Sequence, residues 1–209
     1  MKVIGLNGSP RKNWNSAQML KHALKGAAAA GAETELIHLI DLNATGCRSC
    51  FACKRIGGKS FGRCAVRDDL TDILNRILEA DAVIISAPVY FGDVPGMVRN
   101  LFERLWFPGL MYRRDGACAY DKKVKVGLIY TMNCPDEHFY DSLIAGHKGT
   151  FERFFGETKV VCATETLQFD NYDLYVGDMF DVPRRQEKHE KVFPEDCRRA
   201  FQMGEGLVK

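Results

Sequence analysis

Residues 82–87, Ala-Val-Ile-Ile-Ser-Ala, are apolar at every position but one. A strand of that composition has no face to give to water. It must lie inside a sheet covered on both sides, which means a parallel sheet between two layers of helices. The remaining segments have to supply those layers.

They do so by alternation. Val3–Leu6 is a short apolar run, Glu33–Leu39 alternates polar with apolar residues, and Val124–Thr131 and Lys159–Thr164 are β-branched and apolar. Between them the pattern turns helical. Ser16–Gly31 puts Ala17, Leu20, Ala23 and Leu24 on one face and ends on a glycine. Asp68-Asp69 opens a helix through Glu79 with acids that suit its dipole, Pro95-Gly96 opens one through Trp106, and Asp136–Phe155 is mainly helical. Strand alternating with helix predicts an α/β fold, a doubly wound five-stranded parallel sheet with helices on both faces. After Gln168 the pattern weakens into an arm, Asp170–Arg185, and a closing helix, Glu187–Gly206. Residues 1–167 are therefore expected to form the domain, and 168–209 an arm and helix that pack on it or on a partner subunit.

In such a sheet ligands bind beyond the carboxyl ends of the strands, where strand order reverses. The first loop there is Asn7-Gly-Ser-Pro-Arg-Lys-Asn-Trp-Asn-Ser16. A helix starting at Asn15 or Ser16 turns unpaired N–H groups and the positive end of its dipole toward that loop, which makes an anion site. Ser9, Asn15 and Ser16 add neutral donors and Arg11 a charged fork, so a phosphate is expected; the bland alternative is a surface loop with an ordinary helix cap. Neither Gly-x-Gly-x-x-Gly nor Gly-Lys-Ser/Thr occurs here, so the dinucleotide and Walker patterns do not apply. The second loop, Ser86–Gly96, offers aromatics, prolines and a glycine, which suits a flat heteroaromatic ring lying against backbone, or else a tight structural loop. A phosphate cradle beside an aromatic slot suits a mononucleotide cofactor. A flavin carries the hydride chemistry itself, so no catalytic acid, base or nucleophile is assigned.

Asn43–Arg67, rich in Gly, Cys, Lys and Arg, is too long for a connector. It holds Cys47-x2-Cys50-x2-Cys53 and, after ten intervening residues, Cys64. That spacing suits ligation better than a disulfide framework. The four thiols can hold a [4Fe–4S] cluster or zinc, or remain free. Cys118, Cys134, Cys162 and Cys197 lack ligand spacing, and the five histidines are scattered. A net charge of +2 gives no global attraction to nucleic acid or a membrane surface, and no apolar run is long enough to span a bilayer. No nucleic-acid or membrane partner is expected, and the location is read as cytoplasmic, with reduced thiols.

Gly8-Ser9-Pro10-Arg11 with Asn15-Ser16, the cysteine run before Asp68-Asp69, then Pro88-Val89-Tyr90-Phe91-Gly92 and Arg99-x-x-x-Glu103-Arg104 resemble the flavodoxin-like NAD(P)H-dependent FMN reductase family. The cysteine run is similar to that of its iron–sulfur flavoprotein branch. The resemblance, over about residues 2 to 165, implies a flavodoxin-like fold. It implies that Ser9, Arg11, Asn15 and Ser16 bind the FMN phosphate and that Pro88, Val89, Tyr90, Phe91 and Gly92 contact the isoalloxazine ring. Thr131 and Asn133, in the run to Cys134, would line its other side. NAD(P)H would be the electron donor and a quinone, nitro compound or flavin the small-molecule acceptor. The alternative is an electron carrier with a [4Fe–4S] cluster on Cys47, Cys50, Cys53 and Cys64, docking a ferredoxin-like protein. Trp14 departs from the family, which usually has a small residue there, and the Gly-rich run after the fourth strand is missing. Phe107–Tyr112 and the arm residues Tyr172, Tyr175, Met179 and Phe180 have no evident place in the sheet's core. They predict a homodimer or homotetramer with each flavin near a subunit boundary.

Overall fold

The structure, a computed structural model, describes residues 1–209. Five strands, β1 (Lys2–Asn7), β2 (Glu33–His38), β3 (Ala82–Pro88), β4 (Lys125–Thr131) and β5 (Thr158–Ala163), form one sheet in the order β2-β1-β3-β4-β5. Every pairing is parallel. This is the flavodoxin-like doubly wound arrangement, with the reversal of strand order between β1 and β3.

β3 divides its side chains between two cores. Val83, Ile85 and Ala87 face α2 (Leu70–Glu79), α3 (Gly96–Gly109) and α4 (Asp141–Phe154), where Ile77, Leu101, Phe102 and Phe151 pack. Ala82 and Ile84 face α1 (Asn15–Ala29) and α6 (Phe193–Val208), against Met19, Leu20, Ala200 and Met203. The second layer is thin because its helices touch through backbone: a Cβ at Gly204 would stand 1.8 Å from Ala23 O, and one at Gly26 2.0 Å from Phe201 O. α6 thus sits on the first helix of its own chain.

The single closing helix expected over Glu187–Gly206 is two helices, α5 (Val182–Lys191) and α6, meeting at Val192. Pro194 has no N–H to give the preceding turn, so it opens a new helix instead of continuing the old one. α5 also begins inside the expected arm, because the Asp181 side chain accepts from Arg184 N–H and Pro183 lies in the first turn. In the rest of the arm, Phe169, Tyr172, Tyr175 and Phe180 pack on one another, with Phe169 and Tyr175 stacked at 4.3 Å. No helix is long and apolar enough to cross a membrane.

Candidate cofactor site

The loops leaving β1 and β3 meet at the reversal of strand order. Gly8 joins them, donating its N–H to Ser86 O at 2.7 Å. A Cβ there would fall 2.3 Å from Val98 Cγ2 and 3.2 Å from Ser86 O, so any side chain would force the loop off β3. Within the loop, Asn7 Nδ2 donates to Ser9 O and accepts Ser9 N–H on Oδ1, both at 3.2 Å, and Arg11 N–H donates to Ser9 Oγ at 3.1 Å. These local bonds hold the chain in the turn that aims α1. α1 itself starts with no side-chain cap and no acid in its first turn, which leaves its leading N–H groups for a ligand.

Ser9, Asn15 and Ser16 are buried. Ser16 Oγ lies 2.7 Å from Thr131 Oγ1, and the Ser16 carbonyl accepts Ser86 Oγ–H at 2.8 Å, so α1, β3 and β4 converge through one serine. Pro88, Val89, Tyr90 and Asn133 line the same narrow cleft. No acidic side chain lines it, and Arg11 is its one charged group. That donor set fits a phosphate ester. Asn133 Oδ1 is buried in the wall without a partner, an acceptor left over for a ligand N–H or O–H.

After Val89, whose N–H donates to Thr131 O at 2.9 Å, the chain makes a tight turn in which Tyr90 and Asp93 exchange backbone bonds of 2.7 and 3.0 Å. Phe91 (φ 51°) and Gly92 (φ 82°) both take positive φ, as in a type I′ turn. Their N–H groups make no backbone bond within the chain. The Phe91 ring stands fully in solvent, so the ring-facing surface expected from these five residues is mostly backbone, with the half-exposed Tyr90 beside it. Arg11, expected on the phosphate, is turned instead toward Gln168, its Nη1 donating to the Gln168 carbonyl at 2.7 Å.

Beneath this turn lies a group that sequence reading passed over. His147 is buried on α4, with Nδ1 3.0 Å from Tyr130 Oη, and Nε2 3.4 Å from Arg99 Nη1 and 3.7 Å from Asp93 Oδ1. Burial lowers its pKa, with Asp93 opposing and Arg99 reinforcing the shift.

Cys47, Cys50, Cys53 and Cys64 line a second, apolar cavity together with Phe51, Arg104, Phe107 and Pro108. No three His, Cys, Asp or Glu groups are gathered closely enough for a single metal ion. α3 builds this cavity. Glu103 Oε2 accepts Cys47 N–H at 3.0 Å, and Arg104 donates to Cys64 Sγ, to Thr45 O and Val66 O, and to Asp68 at 2.6 Å. Lys54 Nζ donates to the carbonyls of Phe107, Pro108 and Leu110 at the negative end of the same helix. Beyond its place in Arg99-x-x-x-Glu103-Arg104, Arg104 is a charge within the apolar stripe of Val98, Leu101 and Leu105, where an arginine must have partners to be buried.

A profile of the NADPH-dependent FMN reductase family matches residues 1–129, from β1 into β4 and across both loops and the cysteine segment. The chain belongs to that family. An iron–sulfur flavoprotein of Methanocaldococcus jannaschii is 40% identical over 104 residues, 50% of this chain and 51% of that one. One of Archaeoglobus fulgidus is 38% identical over 104 residues, 50% of this chain and 48% of that one. This member of the FMN reductase family thus spans about half the length of the curated relatives it matches. Among solved structures, the NAD(P)H:quinone oxidoreductase of Methanothermobacter marburgensis superposes with a TM-score of 0.71 at 17% identity, over 100% of this chain and 98% of that one. An azoreductase of Bacillus anthracis gives 0.67 at 16%, over 99% of each chain. Both share the fold.

Proposed function

We propose that the protein binds FMN and uses NAD(P)H to reduce a small acceptor such as a quinone, a nitro compound or a free flavin. The observation that carries this is the convergence of the uncapped α1 N-terminus, the Tyr90–Asp93 turn and the end of β4 on one acid-free cleft. Ser9, Asn15, Ser16 and the leading N–H groups of α1 would hold the phosphate. Pro88–Gly92 would take one side of the ring, and Thr131 with Asn133 the other. When bound, the flavin accepts hydride from the nicotinamide and passes the electrons on. The chain's part is to orient the ring, to offer it the Phe91 and Gly92 N–H groups, and to exclude water. The purified protein should be yellow, carry one FMN per chain and oxidise NADH or NADPH with one of these acceptors. A protein that neither retains nor takes up FMN overturns the reading.

A second reading keeps the FMN and adds a [4Fe–4S] cluster on Cys47, Cys50, Cys53 and Cys64, with a ferredoxin-like protein as electron partner. It is favoured by the four cysteines lining one apolar cavity with a buried cation at its edge. Iron and acid-labile sulfide in anaerobically prepared protein decide it, and their absence removes it.

Self-association belongs to the same proposal. Phe91, Tyr112, Leu174, Val176 and Met179 are exposed apolar side chains with no cover in their own chain. A dimer or tetramer with the arm against a neighbour would bury them. Sedimentation as a monomer at micromolar concentration, with FMN retained, overturns this part.

A further inference from the structure

We infer that Trp14 is a positioning residue for the phosphate end of the cofactor, acting through a strap formed by residues 165–168. This rests on the FMN reading above and extends it to a residue outside the family pattern.

Trp14 immediately precedes α1, and its Nε1–H donates to Leu167 O at 2.9 Å. Asn15 Nδ2 donates to the same carbonyl at 2.8 Å, which uses both of its lone pairs. Arg11 Nη1 donates to the next carbonyl, Gln168 O, at 2.7 Å, and the Arg11 guanidinium lies over the Trp14 ring, 4.8 Å from its centre. Three residues of the phosphate loop are therefore tied to two carbonyls from the far end of the domain. Thr166 and Gln168 line the cleft beside Ser9 and Ser16, so the strap is one of its walls.

The strap is anchored on its other side as well. Glu165 N–H donates to Cys134 O and Thr166 N–H to Met132 O, both at 3.2 Å. Arg185 of α5 donates to Thr166 O at 3.2 Å and to Asn133 O at 3.3 Å. Glu165 takes a left-handed φ of 49°, and its buried carboxylate is held by Arg184 at 3.0 Å and Lys188 at 2.7 Å.

A wall of carbonyl oxygens beside a phosphate site is unfavourable unless those oxygens already have donors. Trp14, Asn15 and Arg11 supply them. The same bonds fix the backbone from which the α1 N–H groups emanate, so the phosphate meets a site already ordered. Losing the indole donor leaves the Leu167 carbonyl short of a partner and loosens the loop where the phosphate binds. The ring-facing turn at Tyr90–Asp93 is untouched.

The test compares FMN with riboflavin, which lacks the phosphate, by quenching of flavin fluorescence on the full-length protein. Trp14→Phe keeps the ring and removes the donor. FMN affinity should fall about five- to tenfold, the size of one lost hydrogen bond, while riboflavin affinity holds, so the preference for FMN narrows by that factor. Glu165→Gln removes the charge that Arg184 and Lys188 hold and so weakens the tie of the strap to α5, leaving the Arg185 bond to Thr166 O and the phosphate loop untouched. It should narrow the preference in the same direction, which covers the case in which Trp14→Phe does not fold. Equal losses for both flavins, or no change in either variant, overturn the inference and leave the FMN reading standing. Wild-type protein that binds riboflavin as tightly as FMN, or neither, fails the FMN reading and takes the inference with it.

Discussion

Arg104 donates its Nε–H to the sulfur of Cys64 at 3.4 Å from a side chain with no solvent exposure. Its Nη1 donates to Asp68 and Thr45 O and its Nη2 to Val66 O. One guanidinium thus closes the cysteine segment on itself, joining its start, its last cysteine and the approach to α2.

Replacing it should be severe. Arg104→Met leaves a carboxylate and two carbonyls facing a hydrophobic stem, and breaking a buried pair by removing one partner costs about 3–5 kcal/mol. Denaturant unfolding should show a loss of that size, with Cys47, Cys50, Cys53 and Cys64 reacting faster with a thiol reagent under native conditions. A loss below about 1 kcal/mol would mean the segment is held elsewhere.

Asp68 gives the same contact a pH dependence. Burial opposes its ionisation, yet the Arg104 hydrogen bond and the N–H groups of Thr45 and Leu70 prevail and hold its carboxyl below the usual carboxylate range. A carboxyl depressed in the folded state adds stability above its unfolded pKa, about 3.9, and loses it as pH falls further. Wild type and Asp68→Asn should therefore differ by a constant amount at neutral pH and converge below about pH 4.

His147 should act at higher pH. Burial leaves it harder to protonate than an unfolded histidine, whose pKa is about 6.5. The folded state then binds fewer protons than the unfolded one, so stability is full above that value and falls as the solution is acidified through it, by at most about 1.4 kcal/mol per pH unit. Unfolding measured from pH 8 to pH 5 should show this slope in wild type and a flatter profile in His147→Gln. Equal slopes would place the titrating group elsewhere.

Gly8 and Val98 form a pair that a double substitution can read. Gly8→Ala puts a methyl 2.3 Å from Val98 Cγ2, an overpacking that costs about 1–3 kcal/mol. FMN affinity should fall with stability, because the loop that moves is the phosphate loop. Val98→Ala should recover part of both losses in the double variant and lower stability on its own. Additive losses in melting and FMN titration would show that the two side chains do not meet.

Much of this was legible in the chain beforehand. The both-faces-apolar run at 82–87 demanded a buried parallel strand, and the Val3–Ser16 stretch read as strand, loop and helix because an apolar run gives way to Gly, Ser, Pro and Asn. The sequence order of strands and helices carried the topology. What was hidden is long-range. That Trp14 meets Leu167 depends on where the chain comes to rest after β5. Arg104 stood in the sequence only as part of Arg99-x-x-x-Glu103-Arg104, and its role could not be read there because its partners lie 36 to 59 residues earlier. The closing helix was divided wrongly because the amphipathic pattern runs through Val192 while Pro194 breaks the hydrogen-bond ladder. Phe91 looked like a slot residue by type, and its exposure follows from a turn geometry that residue type alone does not fix.

The contact of α1 with α6 also orders events during synthesis. α1 carries one side of the cleft and leaves the ribosome long before α6, but its small-residue face is covered only by Ala200, Gly204 and their neighbours on α6. Until residue 208 has emerged, Met19, Leu20 and Ala23 lack the helix that packs on them. Nascent chains arrested shortly before α6 emerges should be protease-sensitive along α1 and blind to added flavin. The cofactor is then captured only once α6 has closed over α1.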